Sequence, residues 1–180
     1  MKATGIVRRI DDLGRVVIPK EIRRTMRIRE GDPLEIYTSR DGEVIFKKYS
    51  LLGGVEDFAS HLCETMSRST GSICAVTDRD TIIAVAGGSK RELLGKRITP
   101  ELEEIMEGRK IYQYGGDGRA IPVSEGLDTL TAAVAAPILA EGDLLGLVLF
   151  ISASPDSVTG EPEFKLAQTI AAFLGRHMES

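Results

Sequence analysis

TGIVRRIDDLGRVVIP, residues 4–19, is the stretch that decides how the first part of this chain folds. Its apolar and β-branched residues predict strands at 4–10 and 15–18, and Asp-Asp-Leu-Gly at 11–14 predicts the turn that joins them. Pro19 suits the first turn of a short helix through about Arg27, because its missing N–H costs nothing there. The chain is therefore expected to begin with two strands and a helix.

A second hairpin follows this helix. Gly-Asp-Pro at 31–33 breaks the chain, residues 34–38 and 44–49 read as strands, and Arg-Asp-Gly at 40–42 forms the turn between them. Both faces of the last strand are apolar, and about fifty residues without a disulfide or a metal make a marginal core. The pattern favours an intertwined dimer, in which a second chain covers the apolar faces.

The charge of the chain is divided between two parts. Residues 1–50 hold twelve Lys and Arg against eight Asp and Glu, a net charge of +4, whereas residues 51–180 hold eleven against nineteen, a net charge of −8. Such asymmetry is typical of a nucleic-acid module joined to another domain. We expect a DNA-binding domain at 1–50, a linker at 51–55 around Gly53-Gly54, and a second domain at 56–180.

The second domain reads as α+β. Apolar residues from Val55 to Met66 recur at helical spacing, and paired apolar runs predict hairpins at 72–86 and 131–152. A helix is expected near 101–107 and another from about 161 to 178. The order indicates an antiparallel sheet with flanking helices.

The composition of the chain indicates where the protein is located and whether it binds a metal. With 42% hydrophobic and 28% charged residues the chain is typical of soluble globular proteins, and it has no long uncharged apolar run and no signal-peptide pattern, so we expect a cytoplasmic location. Cys63, Cys74, His61 and His177 do not form a metal-binding motif. No metal or cofactor is expected.

The first helix carries the clearest functional pattern. Lys20, Arg23, Arg24 and Arg27 share one face, and Ile22 lies opposite them. Arginine forks match phosphate oxygens, which favours DNA, although a solvated face or an acidic protein partner would also suit the pattern. The full set of candidate DNA-binding residues is Arg8, Arg15, Arg23, Arg24, Lys2, Arg9, Lys20 and Arg27.

The quoted stretch, continued by Glu21-Ile22-Arg23-Arg24 and by DPLEIY at 32–37, closely resembles the AbrB-like transition-state regulators over about the first fifty residues. The resemblance implies a swapped-hairpin β-barrel formed by two chains, with DNA-contacting arginines at Arg8, Arg15, Arg23 and Arg24. It also implies double-stranded, AT-rich sites recognised by DNA shape.

The acidic part resembles a GAF domain, a fold that commonly binds small molecules or mediates dimerisation. An AbrB-like head joined to a GAF-like domain resembles sporulation regulators that activate some genes and repress others. The chain has no Asn, which disfavours the cyclic-nucleotide signature of some GAF domains. Arg91, Arg97, Arg109 and Tyr112 are candidates for binding an unidentified small-molecule effector. The final helix is apolar on a wide face, which predicts a tetramer through this domain.

The sequence leaves two other classes of protein open. Related swapped-hairpin domains serve as the heads of antitoxins, which carry a flexible toxin-binding tail, but residues 55–180 show periodic helices and strands. Some GAF-fold proteins are enzymes with reactive cysteines, yet Cys63 and Cys74 lie in apolar patterns, and no motif for nucleophilic or metal catalysis occurs. We expect a protein that is not an enzyme.

Overall fold

The computed structural model describes residues 4–154 and 159–179, and the chain divides into two compact units. The first, Met1–Tyr49, is called the head, and the second, Ser50–Ser180, is called the C-terminal unit. Leu52, within the expected linker, is fully buried in the core of the C-terminal unit.

The head contains one helix and one hairpin. Helix α1 spans Lys20–Thr25 and starts directly after Pro19, as expected of a proline that opens a helix. Strands β1, Leu34–Thr38, and β2, Val44–Lys48, pair antiparallel with Ile36 opposite Phe46. The predicted second hairpin is confirmed to within a residue.

The first two predicted strands are not formed, and this prediction is wrong for the single chain. Residues 4–10 and 15–18 have no strand assignment, although a turn does occupy residues 12–14. A strand is stabilised by a neighbour that accepts and donates its backbone hydrogen bonds, and a short isolated hairpin is marginal in water. Within the described part of the head, these two segments have no such neighbour.

The C-terminal unit is built on a five-stranded sheet in the order β4-β3-β7-β6-β5, and all of its neighbouring strands are antiparallel. The strands are β3 Ile73–Thr77, β4 Ile82–Ala86, β5 Tyr112–Gln113, β6 Thr131–Ala140 and β7 Asp143–Ser152. The helices are α2 Glu56–Thr70, α3 Lys90–Leu93, α4 Pro100–Glu107 and α5 Glu161–Met178. This is the predicted α+β architecture.

Each face of the sheet carries its own core. Helices α2 and α5 pack on one face, around Phe150 and Val148, whereas α3 and α4 cover the other face, around Leu147 and Leu149. Neighbouring residues of β7 thus point to opposite faces, as strand geometry requires. Both hairpins and the helices α2, α4 and α5 are confirmed, and the short elements α3 and β5 were not predicted.

No helix in the described residues is long and apolar enough to cross a membrane. The same residues contain no group of three or more His, Cys, Asp and Glu side chains that could hold a metal ion.

Candidate nucleic-acid interface

Helix α1 presents the cationic side chains predicted from the sequence. Lys20 and Arg24 are exposed, whereas Arg23 is partly buried. The Nε of Arg23 is buried and has no hydrogen-bond partner among the described residues. A buried donor without an acceptor is costly, so the Arg23 side chain is held beside α1 at some cost in free energy in the single chain.

Arg27 follows the end of α1 in a left-handed conformation, with φ of 51°. The hydrogen bond from the N–H of Ile28 to the carbonyl of Arg23, 2.7 Å, closes the helix in the manner of a Schellman cap. Lys48 Nζ donates to the carbonyl of Arg27 at 2.8 Å, which ties the helix end to β2. Arg27 therefore marks the end of the helix as well as adding charge.

The turn before α1 is organised by Asp11. Its carboxylate accepts hydrogen bonds from the N–H of Leu13 at 3.0 Å, from the N–H of Arg15 at 2.8 Å and from Nε of Arg15 at 2.8 Å. The hydrogen bonds from Arg15 are the largest cause of the lowered pKa of Asp11, so the carboxylate stays charged. One side of the Arg15 guanidinium is thus fixed, and the side chain remains 69% exposed.

The other predicted cations of the head are Arg8, Arg9 and Lys2. Arg8 and Arg9 are exposed, and Arg8 lines the same open groove as Ile22 of α1 and Met26, which directly follows that helix. Lys2 lies outside the described residues. The structure therefore brings Arg8 close to α1, and the contribution of each cation to DNA binding stays a prediction.

The groove beside α1 is wide and apolar. It has a volume of about 780 Å³ and is lined largely by apolar residues, among them Ile6, Val16, Ile18, Ile22 and Phe46. Phe46 is 43% exposed and Val17 is 71% exposed. Large apolar side chains so open to water indicate a surface that another chain covers.

The predicted effector residues lie in different places. Arg91 lies on α3, and the backbone of Arg97 forms a β-bridge with Thr81; both side chains are exposed near β4. Tyr112 lies on β5, at the opposite edge of the sheet. Burial raises the pKa of Tyr112, so its phenol stays neutral. Arg109 lines a groove between β6 and α5. The four residues do not form one cluster, and their role stays a prediction.

The two cysteines are free thiols buried in the core between α2, α5 and the sheet. Burial raises the pKa of Cys63 and of Cys74 to about 12. A thiol must be ionised and accessible to act as a nucleophile. Neither condition holds for these two residues.

Sequence reasoning missed two features of these sites. Asp11 was assigned only to a turn, although an Asp four residues before an Arg could have indicated its ion pair. Gln168 and Arg176, which share a groove with Arg109, lie about sixty residues further along the chain, and no local pattern joins them.

Comparisons with known proteins agree with both units. The family model "Stage V sporulation protein T C-terminal, transcription factor" matches residues 54–179, and the model "Antidote-toxin recognition MazE, bacterial antitoxin" matches residues 7–50. The transition state regulatory protein AbrB of Bacillus subtilis is 63% identical over 49 residues, which are 27% of this chain and 50% of that protein. The molecule is thus a two-domain protein with an AbrB-type head and a GAF-like domain, an architecture of transcription factors.

Stage V sporulation protein T of Bacillus subtilis is 49% identical over 180 residues, covering 99% of each chain. The chain belongs to the stage V sporulation protein T family. The GAF domain of the Acinetobacter phosphoenolpyruvate-protein phosphotransferase superposes on the chain with a TM-score of 0.51 at 13% identity, covering 73% of this chain and 84% of that one. At this identity the likeness concerns the fold alone, and it supports the GAF-like assignment.

Proposed function

We propose that this chain is a DNA-binding transcriptional regulator of sporulation genes in a spore-forming bacterium, acting as an activator at some promoters and a repressor at others. Its head binds double-stranded DNA, and its GAF-like domain serves oligomerisation and small-molecule sensing. The proposal rests on membership of a family of sporulation transcription factors and on the cationic surface of the head.

The observation that carries the proposal is the row of cations on α1, where the partly buried Arg23 lies between the exposed Lys20 and Arg24. Phosphate oxygens supply acceptors in the geometry that a guanidinium prefers. Arg8 and Arg15 are proposed to contact DNA together with these residues, and Arg9, Arg27 and Lys2 are the further candidates. Backbone contacts of this kind suit recognition of DNA shape, which fits the preference for AT-rich sites that we propose.

Self-association is the second part of the proposal. The open apolar groove of the head supports an intertwined dimer, with residues 1–50 as the DNA-binding domain, 51–55 as the linker and 56–180 as the GAF-like domain. On the GAF-like domain, Phe173 is 48% exposed and lies beside Phe58 and His177, with ring centroids 5.9 Å and 6.3 Å away. This aromatic patch supports pairing of two dimers into a tetramer, which would give avidity on paired sites.

The remaining parts of the proposal concern location and chemistry. We infer a cytoplasmic protein associated with the nucleoid, which is where a regulator meets its promoters. We also infer that the chain is not an enzyme, because its relatives are transcription factors and its thiols are buried and neutral. A small-molecule effector of unknown identity acts on the GAF-like domain, with Arg91, Arg97, Arg109 and Tyr112 as the candidate residues.

Titration of AT-rich promoter fragments with the full-length protein across a salt series tests the central claim. Arg23→Ala/Arg24→Ala should weaken binding about a hundredfold or more and reduce the slope of log affinity against log salt, because each lost phosphate contact lowers that slope by roughly one. Arg91→Ala, on the GAF-like domain, is the matched control and should bind like the unmodified protein.

Absence of binding to every fragment at low salt would instead favour the antitoxin alternative, in which the basic face serves a toxin partner. The match of residues 7–50 to an antitoxin family model is the observation that favours this alternative. The folded helices and sheet of the C-terminal unit differ from the flexible tail that wraps a toxin.

A further inference from the structure

The C-terminal unit has a second groove, on the face of the sheet that α5 covers. It has a volume of about 440 Å³ and lies between the last part of β6 and the outer flank of α5. Such a volume falls within the range of small-molecule sites, roughly 300–1,000 Å³. Its lining includes Arg109, Ile111, Pro137, Gln168, Ala172 and Arg176.

The groove combines an apolar floor with a cationic rim. The partly buried Ile111 and the buried Ala136 and Ala171, all packed in the core on the α5 side of the sheet, contribute the floor. Arg109 is exposed, and its guanidinium has no ion pair or hydrogen bond with any residue that the structure describes. Arg176 adds a second positive charge and Glu179 one negative charge, so the three ionised groups sum to one positive charge.

The conformation of Arg109 is unusual in the same place. Its φ is 54°, a left-handed conformation that favours glycine, and it directly follows Gly108, which caps α4 with φ of −66°. A helix end usually has glycine at the left-handed position itself. Here Gly108 occupies the preceding position, and the left-handed position is filled by Arg109. Strained backbone that persists at a groove is an observation that points to function.

The edge of β6 excludes one class of occupant. Strand β5 pairs with β6 only at Val134 and Ala135, so the later part of β6 has an open edge beside the groove. Pro137 lies on that edge and has no N–H to donate, which disfavours the addition of a peptide strand. A small molecule therefore fits this groove better than an extended peptide.

We propose that this groove binds a small monocarboxylate with a compact apolar body. Arg109 would bind the carboxylate through its fork of donors, the Gln168 amide would add a hydrogen bond, and Ile111 and Ala171 would contact the apolar part. A net charge of one positive unit in the groove favours a singly charged carboxylate over a doubly charged phosphate ester. This goes beyond the proposed function by naming a ligand class and a site separate from Arg91, Arg97 and Tyr112.

The groove and the aromatic patch occupy different flanks of α5. Gln168, Ala172 and Arg176 recur every four residues along one strip, whereas Phe173 and His177 form a second strip about 100° further round the helix. A ligand in the groove would leave the aromatic patch available for another chain. Binding of the carboxylate and assembly through the patch can therefore be measured separately.

Calorimetric titration of the full-length protein with hexanoate, hexan-1-ol and inorganic phosphate tests the proposal. Hexanoate should bind at least tenfold more tightly than either of the other probes, because it alone combines the charge with the apolar body. Ala172→Trp should fill the groove and abolish hexanoate binding.

Arg109 offers a substitution that separates strain from recognition. Arg109→Gly should raise the melting temperature, because glycine suits the left-handed conformation, and should weaken hexanoate binding at least tenfold. Arg109→Lys should give an intermediate affinity, because lysine keeps the positive charge but lacks the fork of donors, and Arg91→Ala should leave the affinity unchanged. Since these variants keep the head intact, their DNA binding should equal that of the unmodified protein, so failure here is distinguishable from failure of the regulator proposal.

Three results would overturn the site. They are equal affinity for hexanoate and hexan-1-ol, unchanged hexanoate binding by Arg109→Gly, and loss of hexanoate binding in Arg91→Ala, which would move the ligand to the other face of the sheet. A fall in melting temperature in Arg109→Gly would contradict the strain on which the assignment of Arg109 rests.

Discussion

The head and the C-terminal unit differ in how far their apolar side chains are exposed to water. Of the fifteen large hydrophobic residues that are exposed in the described part of the chain, twelve lie in the head and three in the C-terminal unit. In the described head, Pro19 alone is buried, whereas the C-terminal unit has a closed core on each face of its sheet. Val7, at 84% exposed, and Phe150, fully buried, mark the two extremes.

The difference shows which unit can be complete within one chain. The C-terminal unit gains its stability from burial of its own residues, at roughly 25 cal/mol per Å² of apolar area. The head leaves such area in water, so it needs cover from outside to reach a comparable stability. An intertwined dimer is the cover that the sequence pattern predicts.

A charge placed on the open apolar surface of the head should have the largest effect. Val17→Asp is expected to remove the thermal transition of the head and to weaken DNA binding more than a hundredfold, because a buried unpaired carboxylate is costly in a dimer. Leu94→Asp puts the same charge on an exposed residue of the C-terminal unit and should change stability by about 0.5 kcal/mol or less. Calorimetry and DNA titration measure both, and equal small effects of the two would show that the head is complete without a partner.

The second-largest effect is expected at alkaline pH, which should lower the stability of the C-terminal unit. In the unfolded chain, Cys63 and Cys74 ionise near the ordinary value of 9, whereas in the folded protein burial raises the pKa of each to about 12. Stability from these thiols is therefore fully present below pH 9 and is lost as pH rises towards 12, by up to about 1.4 kcal/mol per pH unit for each thiol.

Denaturant unfolding of the protein between pH 8 and 11 measures this loss. Cys63→Ala/Cys74→Ala should flatten the alkaline slope of the C-terminal transition, and the head, which has no cysteine, is the internal reference. A slope that is unchanged in the double variant would assign the alkaline loss to other groups.

The smallest expected effect concerns the end of α1. Arg27→Gly should stabilise the head by about 0.5 to 1 kcal/mol, because φ of 51° suits glycine. It should weaken DNA binding only a few fold, as one contact is lost. Arg24→Gly, within the helix, should instead destabilise the head by about 1 kcal/mol, and thermal unfolding distinguishes the two. Destabilisation by Arg27→Gly would mean that the contacts of the Arg27 side chain outweigh its strain.

Elements that depend on local patterns were predictable from the sequence. The stripe from Val55 to Met66 predicted α2, and alternating or continuous apolar runs predicted β3, β4, β6 and β7. The cationic face of α1 could also be predicted, since the spacing of residues along a helix determines the direction in which their side chains point.

Features that depend on distant partners were not predictable in the same way. Residues 4–10 have the composition of a strand, but a strand forms through a partner that the local sequence does not specify. The groove of Arg109 arises because α5 packs beside β6, far from it in the chain. Arg23 was predicted to be a DNA-binding residue on the cationic face of α1, and its partial burial follows from packing within the head.

Pro137 has a consequence for solubility. The open edge of β6 is apolar, and unpaired edges of this kind are the places where sheets of different molecules join and aggregation begins. A residue without an N–H interrupts the ladder that an incoming strand would need. Replacement of this single proline would therefore leave the fold in place but make the protein prone to form cross-β contacts at high concentration.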